Sequence, residues 1–183
     1  MNLSLFIVVL GGRSLKSNVE IHDVRWVVGK TIEDTFPELR KQWLGNKKGL
    51  HIDSYKCIKY VDGYKIVLSE SKKNISINPI IDLSLWFVNL GGYNPKKMYE
   101  EHEFNLIVAK KAIEAKKKAK KSWESNLKNK HNDDSSGINY LEQVDDLQPV
   151  KIKNWEIHLI PDPKERNEKL IPDWYGYRRI DNF

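Results

Sequence analysis

Two short motifs in this chain carry residue types that do chemistry. Glu20-x-His22 recurs as Glu100-x-His102, and His51-x-Asp53 stands between them. Imidazole nitrogen and carboxylate oxygen are donors for a divalent metal, and the same pair can run general acid–base chemistry. In a strand, residues two apart share a face, so each Glu projects with its His and His51 projects with Asp53. If the two Glu-x-His strands approach a pseudo-twofold axis, two imidazoles and two carboxylates converge. Three-residue spacing alone is a sparse metal signal, because built sites show more ligands. The blander reading is the default: each His is satisfied by its Glu or by a backbone carbonyl of the neighbouring Gly-Gly turn. His51 beside Asp53 resembles an oriented catalytic imidazole, but no nucleophile adjoins it, and a strand-edge hydrogen bond explains the pair as well.

The glycine pairs Gly11-Gly12 and Gly91-Gly92 precede the two Glu-x-His motifs. Glycine leaves backbone N–H groups open to a ligand. Neither dinucleotide nor P-loop spacing is present, so a nucleotide site of those types is not expected. The candidate ligand or metal site is therefore Glu20, His22, Glu100 and His102 with Gly11, Gly12, Gly91 and Gly92. His51 and Asp53 are secondary candidates. No metal and no catalytic residue is assigned, and no cofactor is expected. Cys57 reads as a small core residue.

These motifs sit inside an internal duplication. Leu5–Trp43 lies on Leu85–Trp123 without a gap at an offset of 80, and twelve of the 39 positions are identical, including both glycines, Glu20/Glu100, His22/His102 and Trp43/Trp123. Unrelated segments share about two or three at that length. The repeat resumes at Val61–Leu68 against Ile152–Leu159, now at an offset of 91. Each copy reads as strand, strand, helix, strand, hairpin, strand. The first strand, Leu3–Leu10, is apolar on both faces, as in a strand covered on both sides. It ends at Gly-Gly. In the second strand Val24, Trp26 and Val28 alternate with polar residues. Thr31 reads as the N-cap of a helix with the stripe Ile32, Phe36, Leu39, Trp43, and Ala112, Ala115, Ala119, Trp123 is its counterpart. Asp62-Gly63 asks for a type I′ turn.

The expected fold is α+β: two tandem β-β-α-β-β units related by pseudo-twofold symmetry, mainly antiparallel, with one helix each. Residues 1–70 form the first unit, 71–82 a linker and 83–160 the second unit. The third strand of the second unit is placed at Ile138–Val144. The extra residues of the second copy fall in a polar surface loop, 124–137. Residues 161–183 form an aromatic tail that packs on the body.

The net charge of +6 is confined to Lys110–Lys121, which holds seven lysines and one glutamate. A lysine helix is compatible with weak nonspecific phosphate contacts through Lys116, Lys117, Lys118, Lys120 and Lys121. With no arginine or aromatic interleaved, a solvated face is the default. The early apolar run lacks a preceding charge and a cleavage site, and it recurs in mid-chain, so it reads as a strand rather than a leader. With one cysteine and no run long enough to span a membrane, a cytoplasmic location is expected.

The Leu-Gly-Gly strand end, the Glu-x-His start, and His51-Ile52-Asp53 followed by Val61-Asp62-Gly63-Tyr64 resemble a small bacterial family, domain of unknown function 1543. Its members carry one or two copies of the unit. The resemblance implies no activity or cofactor. The residues favour a noncatalytic binding or structural module with a cleft between its copies. The alternatives are a metal-dependent or acid–base enzyme using the Glu-x-His pairs and a weak nucleic-acid binder. The partner is open between a protein and a small ligand, a homodimer is compatible with the repeat, and nucleic acid and membrane are disfavoured.

Overall fold

A computed structural model describes residues 3–71, 82–93, 96–130 and 140–182. The side chains of 123–130 and 140–145 lie outside that description. The protein is α+β with antiparallel sheets. Along the chain run β1 (Ser4–Gly12), β2 (Ile21–Gly29), a 3-10 turn (Glu33–Thr35), α1 (Phe36–Gln42), β3 (His51–Ile58), β4 (Tyr60–Val61) and β5 (Tyr64–Glu70). There follow β6 (Ser84–Tyr93), β7 (Glu100–Ala109), α2 (Ala112–Lys130), β8 (Tyr140–Pro149), β9 (Trp155–Pro161) and β10 (Trp174–Arg179). The sheets have strand orders β10-β3-β1-β2, β4-β5-β9 and β7-β6-β8.

The chain forms two compact units, and they divide it differently from the repeat. Met1–Ile77 joins Lys151–Phe183 in one unit, and Asn78–Val150 is the other. Residues 151–160, read from the repeat as part of the second copy, thus pack with the first.

In the first unit β1 is central, and its alternating side chains are buried on both faces. Phe6, Val8 and Leu10 share one core with Val27, Ile32, Phe36, Leu39, Trp43, Leu50, Ile52 and Ile180. Leu5 and Ile7, on the opposite face, are buried too. On β2 the residue in the α1-side core is Val27. Val24, Trp26 and Val28 face the other way and are only partly buried, except that Trp26 Nε1 donates to the carbonyl of Lys151 at 2.9 Å. Alternation in the sequence identified that stripe but not the face that α1 covers.

The start of α1 also departs from expectation. Thr31 makes no cap. The Asp34 carboxylate reaches back to accept from the Lys30 and Thr31 N–H groups at 3.1 and 3.0 Å, and the 3-10 turn follows. Pro37 then falls in the first turn of α1, where its missing N–H costs no hydrogen bond. Asp62 and Gly63 both have positive φ, 50° and 79°, as a type I′ turn requires.

β5 and β9 pair antiparallel from Tyr64↔Pro161 to Glu70↔Trp155, with Val67 opposite His158. At the repeat offset of 91, Val67 and His158 are equivalent positions, so this ladder is symmetric about its own centre.

In the second unit β6 and β7 pair as β1 and β2 do, with Gly91↔His102 matching Gly11↔His22. Ala115 and Ala119 of α2 are fully buried against Val88, Leu90, Ile107 and Ala109. Two expectations need correction here. The third strand, expected at Ile138–Val144, is described from Tyr140 and runs on to Pro149, and Glu124–Lys130 of the expected loop continue α2. The rest of that loop, and Trp123's side chain, lie outside the described residues.

Candidate functional site

The site grows from the register around Gly11. Gly11 pairs with His22 on β2 and with His51 on β3, so both histidines flank one residue on one face of the sheet. A register shift in β3 opposite Val9–Leu10 leaves Asp53 between the paired Ile52 and Ser54. That bulge lets Asp53 approach His51.

Four side chains meet there. His51 Nε2 lies 3.2 Å from Asp53 Oδ1 and 3.4 Å from Glu20 Oε1. His22 Nε2 lies 3.3 Å from Asp53 Oδ2 and 3.8 Å from Glu20 Oε2. Each carboxylate therefore bridges the two imidazoles. His51 is 1 % exposed and His22 is 54 % exposed, so the cluster has a buried end and an open end.

Gly11 is required by this packing. A Cβ there would stand 2.4 Å from His51 Nε2 and 2.9 Å from Asp53 Oδ2. Gly12 serves the opposite face, where a Cβ would meet Trp43 Cζ2 at 2.8 Å. One glycine makes room for the polar cluster and the other for the ring that closes α1 onto the sheet.

The tautomer of His51 is set by its other nitrogen. Nδ1 lies 2.8 Å from the carbonyl of Gly49, which can only accept, so Nδ1 carries the proton. Nε2 of the neutral ring then presents a lone pair to two carboxylates. Nε2 and Asp53 Oδ2 are buried and make no hydrogen bond. Burial pushes the Asp53 carboxyl above its ordinary range; His51 and His22 oppose this and Glu20 adds to it. Such an arrangement wants a positive charge at its centre, either a proton on an imidazole or a bound cation. As the side chains stand, no group of three or more His, Cys, Asp or Glu among the described residues is arranged to hold a metal ion. The donors touch in pairs, and the exposed Glu20 and His22 would have to turn to close on one point.

β10 forms the far edge of this sheet and holds the buried end. Arg179 pairs with His51, and the Tyr177 ring lies over the imidazole at a centroid distance of 4.0 Å. Asp181 accepts from the Gly49 N–H at 2.8 Å and from Arg179 Nη2 at 2.6 Å. The Arg179 hydrogen bond, then that of Gly49, holds the Asp181 carboxyl down to about 2. The residue whose carbonyl orients His51 is thus itself fixed by the tail.

The structure brings Glu20, His22 and Gly11 together with His51 and Asp53. Glu100 and His102 lie in the other unit, 4.0 Å from each other. There Gly91 pairs with Gln143, the position that His51 occupies opposite Gly11. Cys57 is half-buried on β3, with its N–H donating to Asp173. Lys116, Lys117, Lys120 and Lys121 of α2 face outward, and Lys118 Nζ donates to the carbonyl of Val108 at 2.7 Å. Among the described residues no helix is long and apolar enough to cross a membrane. Sequence reasoning missed the weight of Tyr177, Gly49 and Asp181, whose roles depend on β10 joining β3.

Comparison with known proteins agrees with the duplication. The family model described as Domain of Unknown Function (DUF1543) matches twice, over residues 17–68 and 97–147. The first match contains all four members of the cluster. The crystal structure of a protein Il1583 from Idiomarina loihiensis is similar over 98 % of both chains, at 30 % identity and a TM-score of 0.71. No curated protein matches.

Proposed function

The chain belongs to the DUF1543 family, whose description carries no activity, and from that premise we propose that it is a noncatalytic binding module whose ligand is taken at Glu20, His22, His51 and Asp53. One observation carries the reading: a buried imidazole nitrogen faces two carboxylates with no hydrogen bond of its own. A net-anionic pocket with an open end at His22 suits a small cationic ligand. The noncatalytic reading rests on the same atom. A general base must reach a substrate proton, whereas His51 Nε2 is turned onto its own carboxylates. The duplicated β-β-α-β-β reading is supported by the matching registers at Gly11 and Gly91, and a local twofold by the β5–β9 ladder centred on Val67 and His158.

The test is histidine ring NMR on the full chain, titrated with Zn²⁺, Mg²⁺, methylammonium and guanidinium in turn. Saturable shifts of the His22 and His51 ring signals by at least one probe are expected. If none of the four moves them, the reading fails.

A further inference from the structure

We infer that the ligand of this cluster is a single divalent first-row transition-metal ion, with Zn²⁺ the best match; the inference rests on the binding-module reading above and narrows it. The donor set is two imidazoles and two carboxylates. Imidazole selects against Mg²⁺ and Ca²⁺, which prefer oxygen alone, and the absence of a thiolate from the set argues against the softest ions.

Distances point the same way. Donors about 2.0–2.2 Å from a tetrahedral ion are about 3.4 Å apart from one another. The three shorter contacts of the cluster are 3.2, 3.3 and 3.4 Å, and the fourth is 3.8 Å between Glu20 and His22, the two most exposed members. These are pairwise imidazole–carboxylate distances through different carboxylate oxygens, so Glu20 and His22 at the open end must turn before four donors meet at one ion.

Two features prepare the buried end for a metal rather than for a hydrogen-bond network. Nδ1 of His51 is committed to the Gly49 carbonyl, the usual orienting partner of a metal-bound imidazole, which leaves the Nε2 lone pair free for the ion. Gly11 lets His51 and Asp53 pack directly onto β1, since a Cβ there would stand 2.4 Å from Nε2.

The second unit offers an internal comparison. It keeps Glu100 and His102, but Gln143 stands opposite Gly91 where His51 stands opposite Gly11. An amide is a poor transition-metal ligand beside imidazole. The inference is therefore one ion per chain, held by the first unit.

The experiment uses the full chain after chelator treatment, titrated with Zn²⁺ by calorimetry and with Co²⁺ by visible absorption. Expected are one ion per chain and a Co²⁺ band in the visible. His51→Gln, which installs the second unit's residue, and Asp53→Asn should each weaken Zn²⁺ by on the order of 100-fold or more, since even outer-shell changes cost 10–100-fold. Circular dichroism and melting of both variants check that they fold. His102→Gln should bind as the parent does. The inference is overturned if Zn²⁺ binding is undetectable, if both first-unit variants bind normally, or if His102→Gln removes an ion. Failure with Zn²⁺ alongside NMR shifts from methylammonium or guanidinium would leave the binding module standing with an organic cation as its ligand. Failure with every probe would remove both.

Discussion

Gly11→Ala tests the site without deleting any of its charged groups. The new methyl would stand 2.4 Å from His51 Nε2, about 1 Å inside ordinary van der Waals separation. His51 has little room to retreat, with Gly49's carbonyl 2.8 Å from Nδ1 and the Tyr177 ring 4.0 Å away. Overpacking of this kind costs about 1–3 kcal/mol. For a chain of this size that is a fall in Tm of roughly 2–12 °C. Gly12→Ala is the matched control, since its methyl would meet Trp43 Cζ2 at 2.8 Å on the other face. Both variants should lose stability in urea melts by amounts in that range. Only Gly11→Ala should also lose Zn²⁺ affinity, by about 10-fold or more, as a displaced ligand does. If Gly11→Ala melts within about 0.5 kcal/mol of the parent and binds as the parent does, the packing argument for the site is wrong.

Asp53→Asn removes a carboxylate that burial has pushed up, so in metal-free protein at pH 7 it should leave stability unchanged or raised, within about 1 kcal/mol. The sign follows from linkage: a raised carboxyl favours the fold below its ordinary value of 3.8 and loses that contribution as pH rises through the folded pKa. The parent should therefore show a metal-free stability decline above about pH 4 that Asp53→Asn lacks, and equal pH profiles would contradict the assignment. Asp181 has the opposite sign. Its contribution is present above 3.8 and is lost as pH falls through about 2. β10 amides should exchange faster across that window, and Asp181→Asn should show fast exchange already at neutral pH. Trp43→Ala should cost about 3–5 kcal/mol, because the ring is buried against Gly12 and donates to the Asn46 carbonyl at 3.0 Å. An unchanged denaturation midpoint would remove Trp43 from the core.

Much of the fold was readable from local pattern. The two-sided apolarity of β1, the glycine pair at its end and the Asp-Gly turn each follow from neighbouring residues. The family and its two copies were legible for the same reason, because a fixed offset needs no knowledge of space. The site was legible only in parts. Glu20-x-His22 and His51-x-Asp53 stood out as separate pairs, and the expected partner of His22 was His102. His51 is instead its neighbour across Gly11, because β2 and β3 flank β1 on opposite sides. Strand order is nonlocal, and nothing in the spacing of 29 residues between the two histidines encodes it. The same limit hid the union of β5 with β9 and of β3 with β10. Helix α2 ran past Trp123 because Glu124–Lys130 is polar but contains neither glycine nor proline to stop it.

The pairing of β5 with β9 also sets a schedule for synthesis. Between Glu70 and Trp155 lie 84 residues, and at about 5–20 residues per second a ribosome needs roughly 4–17 s to make them. During that interval β5 has no β9 to pair with, and β3 has no β10 along its outer edge. Nascent chains stalled before residue 155 should therefore engage chaperones that read exposed strand edges. The imidazole of His51 stays unlatched longer still, until Arg179 and Asp181 have emerged. Any ion that needs the finished cradle is then acquired only after Asp181 has left the tunnel.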